Sequence, residues 1–133
     1  MKEIEKVEKF LKEAGVYYLA TTVDNKPYVR TFGTINLIEG KLYIQTGRVK
    51  DVYKQIYENN NAEICAFNNG KWIRVSGKLK EDPRREAKAD MLDKYPELKN
   101  MYSADNDNTV VLYFENGKAT IYSFTAQPEV IEF

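Results

Sequence analysis

Four turn signals cut this chain into β-favouring runs too short for a helical protein: Asp24-Asn25-Lys26-Pro27, Glu39-Gly40-Lys41, Asn68-Asn69-Gly70 and Asn116-Gly117. Asn-Gly between apolar runs is a strong hairpin signal, because a tight hairpin turn needs residues that accept positive φ. The runs between them are VYYLATTV, PYVRTFGTINLI, LYIQT, AEICAF, KWIRVSGKL and TVVLYFENGKATIYSF. Alternation is clearest in KWIRVSGKL, where Ile73, Val75 and Leu79 point one way and Trp72, Arg74 and Ser76 the other. The run over 27–38 is interrupted at Gly33, and the last run reads as a second hairpin turning at Asn116-Gly117.

Helical spacing occurs in three places. Ile4, Val7, Phe10 and Leu11 predict an amphipathic helix over 2–14, stopped by Gly15. Val49, Val52, Tyr53, Ile56 and Tyr57 form a second stripe. A third helix is expected from Asp82-Pro83, with an acidic cap and proline at its first position, burying Ala87, Met91 and Leu92 before Pro96. PELKNMY adds a short helical turn, and SADNDN is a polar loop. Six or so hairpin-connected strands with three helices predict an α+β fold, a mainly antiparallel β-barrel with flanking helices. The 133 residues suit one domain, 1–133.

Composition narrows the chemistry. Histidine is absent, which excludes histidine triads, histidine-ligated zinc and histidine acid–base catalysis. Cys65 is the single cysteine, so no intrachain disulfide or cysteine metal cluster forms. Lysine plus arginine balance aspartate plus glutamate at 20 each, and a pI near 6.4 gives no footprint for nucleic acid. No apolar run reaches the roughly 20 residues of a membrane span, and the charged N-terminus lacks a signal-peptide core. The expectation is a soluble cytoplasmic protein.

One junction, Gln45-Thr46-Gly47-Arg48-Val49-Lys50, places two cations and a hydroxyl between a strand and a helix start, where the macrodipole disfavours positive charge. If 27–38 and 41–46 pair about Glu39-Gly40, Arg30 comes to the same end. A phosphate held by these cations, the Thr46 hydroxyl and the first-turn N–H groups would offset the dipole cost of about 0.3–1 kcal/mol per cation. On spacing alone, the same residues also suit a solvated first turn partly neutralised by Asp51.

The segments YYLATTVDNKPYVRTFG, LYIQTGRVKDVYKQIYENNNAEICAF and WIRVSGKLK, in this order, resemble the pyridoxamine 5′-phosphate oxidase-like family of FMN-binding split barrels. The resemblance is particularly to its short bacterial members of the general-stress and nitroimidazole-reductase-like kind. The resemblance implies a six-stranded split β-barrel and a homodimer with FMN at its two-fold interface. By position it implies that Arg30, Thr46, Arg48 and Lys50 hold the FMN phosphate, while Thr31, Phe32 and Gly33 run beside the isoalloxazine. Ile44 and Gln45 would line the same pocket, and Trp72 and Arg74 would reach the flavin of the second subunit. Gly33 breaking a strand and Trp72 lying away from Ile73 and Val75 agree with that transfer.

The implied activity is reduction of a small molecule by hydride transfer through FMN, with NADH or NADPH as candidate donors. The oxidases proper carry a C-terminal Arg and Trp segment, whereas this sequence ends TAQPEVIEF, so pyridoxamine phosphate oxidation is not expected. The active-site histidine associated with nitroimidazole reductases is missing too. No catalytic residue is assigned. Two other readings are a non-catalytic flavin-binding stress module and an oligonucleotide-binding barrel; the charge balance counts against the second.

Overall fold

In the computed structural model, which describes residues 2–133, the turn signals separate strands largely as expected. The elements run α1 (Glu3–Ala14), β1 (Tyr17–Val23), β2 (Lys26–Phe32), β3 (Asn36–Ile38), β4 (Lys41–Gly47), α2 (Asp51–Glu58), β5 (Asn61–Asn68) and β6 (Lys71–Asp82). They continue with α3 (Arg85–Lys94), a 3₁₀ turn (Pro96–Asn100), β7 (Thr109–Ser123) and β8 (Glu129–Glu132). Asp24, Asn25, Glu39 and Asn69 all take positive φ at the turns. These residue types accept that region more readily than most.

The architecture is α+β: every pairing is antiparallel, and the strands follow the order β2-β1-β5-β6-β7-β4-β3, with β8 added to β7. The sheet curls without closing, as a split barrel. Gly33 divides the long second run into β2, which pairs with β1, and β3, which pairs with β4 across Glu39-Gly40.

Three expectations are corrected. Asn116-Gly117 is no hairpin turn: β7 continues through it as one strand of 15 residues. The register with β6 shifts between Ser76 and Lys78, opposite that point, so the positive φ of Asn116 serves a bulge. Among the described residues the strands number eight, because Gly33 splits one run and Glu129–Glu132 forms a strand the sequence did not suggest. The third helix begins at Arg85, since Asp82 is still paired with Val111 as the last residue of β6.

The barrel interior is filled by Leu19, Ile64, Ile73, Val75, Val110, Leu112 and Ala119, with Val7 and Leu11 of α1 packed against them. Fully burying one such side chain contributes about 1.5–3 kcal/mol, so this layer supplies the main drive to fold. A smaller cluster of Tyr43, Val111, Ala87 and Met91 covers the opposite face of β4 and β7 with α3. The half-buried Glu8 of α1 accepts the Leu37 N–H at 2.8 Å, satisfying a donor on the short strand β3.

Asp82 ties these layers together. Its buried carboxylate accepts from the Tyr43 hydroxyl at 2.7 Å and from the Arg84 N–H at 3.0 Å, while the Arg84 guanidinium spans Asp82 and Glu39. Burial alone would raise the Asp82 pKa, but the Arg84 side chain, the Tyr43 hydroxyl and the Arg84 backbone overcome it and hold the group at about 2. A carboxyl depressed below its ordinary 3.8 binds fewer protons folded than unfolded. Its contribution, on the order of 2 kcal/mol, is therefore complete above about pH 4 and lost as pH falls toward 2. Asp82→Asn should lower Tm near neutrality and flatten the fall of Tm between about pH 4 and 2, followed by circular dichroism.

Candidate functional site

A cleft of about 280 Å³ opens where the ends of β2 and β4 meet the first turn of α2 and the 3₁₀ turn. Arg30, Thr31, Phe32 and Gly33 form one wall, with Gln45, Thr46 and Lys50 beside them. Seven of the eleven residues singled out by sequence thus come together in one place. Thr34 links the two sides: its hydroxyl accepts the Gln45 N–H at 3.0 Å, imitating a strand pairing where β2 has ended. Tyr95 holds the link that follows, since its hydroxyl accepts from Ile35 N–H and donates to Ile35 C=O, both at 3.0 Å.

The cleft is lined by two cations and no carboxylate. Arg30 donates to Leu19 C=O at 3.2 Å, to Thr21 Oγ1 at 2.8 Å and to Gln55 Oε1, all neutral acceptors. Burial pulls its guanidinium below the ordinary arginine range, as expected of a charge without a counterion. Among the described residues no carboxylate lies within ion-pair distance of Arg30 or Lys50. Gln45 adds a second unsatisfied group. Its Oε1 is the one buried side-chain polar atom among the described residues with no hydrogen-bond partner. A buried acceptor without a partner costs about 1–3 kcal/mol.

Four of the sequence candidates lie elsewhere. Ile44 is fully buried in the barrel core, paired with Leu112. Arg48 turns away from the cleft and binds Glu81 at 2.8 Å, the Asp107 carboxylate at 3.2 Å and the Tyr53 hydroxyl at 2.7 Å. Hydrogen bonding to Glu81 raises its pKa, so its charge is already matched. Trp72 and Arg74 stand on the outer face of the sheet. Trp72 stacks on Tyr122 with centroids 5.6 Å apart, and Arg74 is paired with Glu63 at 2.6 Å.

The helix-start donors are also partly taken. The Arg48 N–H bonds Asn108 C=O at 2.9 Å, the Val49 N–H bonds Asn108 Oδ1 at 3.1 Å, and the Lys50 N–H bonds Gly47 C=O at 3.1 Å. Among the described residues of this helix start, the N–H groups of Asp51 and Val52 remain without a backbone partner. Arg48 and Asn108 together staple the loop 103–109 to the strand–helix junction.

Sequence reasoning missed the wall made by Leu98, Met101 and Tyr102, together with Thr34 and Val52. The segment PELKNMY carries Leu98, Met101 and Tyr102 on the far side of α3, about fifty residues from Thr46, and no local pattern connects the two.

The two junction cations therefore have different work, and stability measurements separate them. Arg48→Met should cost about 1–3 kcal/mol, because it leaves Glu81 and the loop 103–109 without their partner. Lys50→Ala should change stability by no more than about 0.5 kcal/mol, since Lys50 is exposed and unpaired. Urea denaturation of both variants without added ligand gives the comparison.

Comparison with known proteins places this geometry. A family model described as pyridoxamine 5′-phosphate oxidase matches residues 4–123. A NimC/NimA family protein of Clostridium acetobutylicum is similar in structure, with 43% identity over 97% of this chain and 91% of that one and a TM-score of 0.93. The general stress protein 26 of Bacillus anthracis shares the fold at 18% identity, over 99% of this chain and 100% of that one, with a TM-score of 0.74. A pyridoxamine 5′-phosphate oxidase-related, FMN-binding protein of Nostoc punctiforme shares it at 17% identity over 95% and 90%, with a TM-score of 0.61. No curated protein matches the chain. Among the described residues no helix is long and apolar enough to cross a membrane. The chain belongs to the pyridoxamine 5′-phosphate oxidase family, with a NimC/NimA family protein among its relatives.

Proposed function

We propose that this chain binds FMN and, as a homodimer, reduces a small electrophilic or aromatic molecule. The observation that carries the reading is a pair of cations, Arg30 and Lys50, that share one cleft with no carboxylate among the described residues beside them. FMN offers both a phosphate dianion. In this reading Arg30, Lys50 and the Thr46 hydroxyl hold the phosphate. The exposed backbone of Thr31 to Gly33 borders the ring, and Phe32, Val52 and Leu98 shield it from water. Bound FMN supplies two-electron chemistry as a hydride, with NADH or NADPH as candidate donors. Both unpaired cations are committed to one phosphate. An acceptor bringing a second phosphate, as pyridoxamine phosphate does, meets no free counter-charge in this chain's cleft.

Two features support a dimer. At about 280 Å³ the cleft is below the roughly 300–1,000 Å³ that encloses a ligand of this size, so one chain supplies only part of a site. The outer sheet face also exposes Tyr18, Val29, Phe67 and Phe124 around the Trp72–Tyr122 stack, an apolar area suited to a second copy. An isologous contact through this face would bring Trp72 toward the partner's cleft.

Fluorescence titration should show FMN binding more tightly than riboflavin, and Lys50→Ala should weaken FMN by about 1.5–3 kcal/mol with little effect on riboflavin. Equal affinities for the two flavins would remove the phosphate site. The FMN-loaded protein should be reduced by NADH or NADPH and pass electrons to a quinone or nitroaromatic acceptor. Failure with both donors, and failure of chemically reduced protein to reduce either acceptor, would leave a binding module only.

Sedimentation across a dilution series should show FMN tightening the dimer about 5–150-fold. Trp72→Ala should raise the dimer and FMN dissociation constants together. A dimer constant indifferent to FMN would mean that each cleft is completed within one chain.

A further inference from the structure

We propose that Tyr102 is a third side-chain donor at the anion end of the cleft, giving its phenolic O–H to the phosphate beside Lys50. The assignment rests on the reading of this cleft as a phosphate site. Its first support is position. The Tyr102 hydroxyl lies 3.0 Å from where a Cβ on Gly47 would stand, and Cε1 of its ring lies 3.3 Å from the same point. Gly47 follows Thr46 directly, and its carbonyl accepts the Lys50 N–H at 3.1 Å. The phenol therefore lies against Gly47, between Thr46 and Lys50 in the chain, and Tyr102, Thr46 and Lys50 all line the cleft.

The second support is an unused donor. Tyrosines on neighbouring elements spend theirs on the protein: Tyr53 donates to Glu81 at 2.8 Å, and Tyr95 donates to Ile35 C=O at 3.0 Å. The half-buried Tyr102 bonds through its backbone N–H to Leu98 C=O at 2.8 Å, while its hydroxyl has no partner among the described residues. With no carboxylate lining the cleft, an anionic ligand is the acceptor that suits it.

The third support is rigidity. Tyr102 leaves the 3₁₀ turn and enters the loop 103–109, which is fastened at both ends. Ser103 N–H donates to Thr109 Oγ1 at 3.2 Å, and Arg48 and Val49 hold Asn108. Arg48 thus acts as a positioning residue, keeping the loop that carries Tyr102 against the junction. Glycine at 47 belongs to the same arrangement. A Cβ there would press on the Tyr102 hydroxyl and on Asn108 Nδ2, 3.3 Å from its position.

The test compares Tyr102→Phe with the unmodified chain, titrating FMN and riboflavin by flavin fluorescence and recording the ³¹P resonance of bound FMN. Loss of one hydrogen bond to a charged group should raise the FMN Kd roughly 10- to 100-fold. The riboflavin Kd and Tm should not move, and the ³¹P resonance should shift. Gly47→Ala should reproduce the FMN-selective loss by displacing the hydroxyl, and it covers the case in which Tyr102→Phe folds poorly. An FMN Kd changed by less than about threefold overturns the assignment, as does a parallel loss of both flavins, which would mark a ring contact. An unmodified chain that binds the two flavins equally is a separate result: it removes the phosphate site, and this donor with it.

Discussion

The strand β7 is the constraint on which the rest of the molecule depends. It stays paired with β6 along most of its length while its other edge changes partner, from β4 over Thr109–Tyr113 to β8 over Lys118–Ile121. The change happens at Asn116-Gly117, where positive φ and the register shift opposite let the strand bend without losing its ladder. Phe133 then pairs with Gly117 through both backbone groups, at 2.7 and 2.8 Å, and its ring packs where a Cβ would stand. A single strand serving two partners branches the sheet, whose open edges are β2 and β3. β4 stays paired with β7 as far as Gly47, while its other edge, paired with β3 only over Lys41–Tyr43, is open at the cleft.

Positive charge at a helix start is resolved by dividing the two cations. Arg48 is a structural residue whose guanidinium is matched by Glu81 and Asp107 and whose ring partner is Tyr53, 5.1 Å away. It is drawn off the helix axis and does not oppose the dipole in the way its position in the chain implies. Lys50, at the N-cap position, keeps an unmatched charge at the cleft. With Arg30 held among neutral acceptors, the cleft retains net positive potential in a chain whose formal charges cancel. Local arrangement, and not net charge, makes this end attractive to an anion.

The outer face of the sheet shows the same economy in apolar terms. The alternation that buries Ile73 and Val75 obliges Trp72 and Arg74 to face outward. Arg74 is neutralised by Glu63, and Trp72 packs its ring against Tyr122 and Phe124, the latter largely exposed itself. The face is therefore largely apolar, with the Arg74 charge paired to Glu63.

Local chemistry in the sequence determined the helix over Glu3–Ala14, the turns at Asp24-Asn25, Glu39-Gly40 and Asn69-Gly70, and the inside and outside of β6. Each depends on neighbours a few residues apart, through periodicity or the positive φ that particular residues tolerate. The grouping of Arg30 with Thr46 and Lys50 was expected from one hairpin of 27–38 with 41–46, but only β3 completes that hairpin; Arg30 reaches the same cleft on β2, which pairs with β1. Asn116-Gly117 has the same local preference as the true turns, and only its long-range pairing with β6 and Phe133 makes it a bulge. Arg48 was likewise undecided until tertiary structure brought in Glu81 and Asp107, partners more than thirty residues away. The wall of Leu98, Met101 and Tyr102 belongs to the same class. These contacts close loops across the whole fold, so their energetics depend on where the chain returns, and no local pattern of residues encodes that.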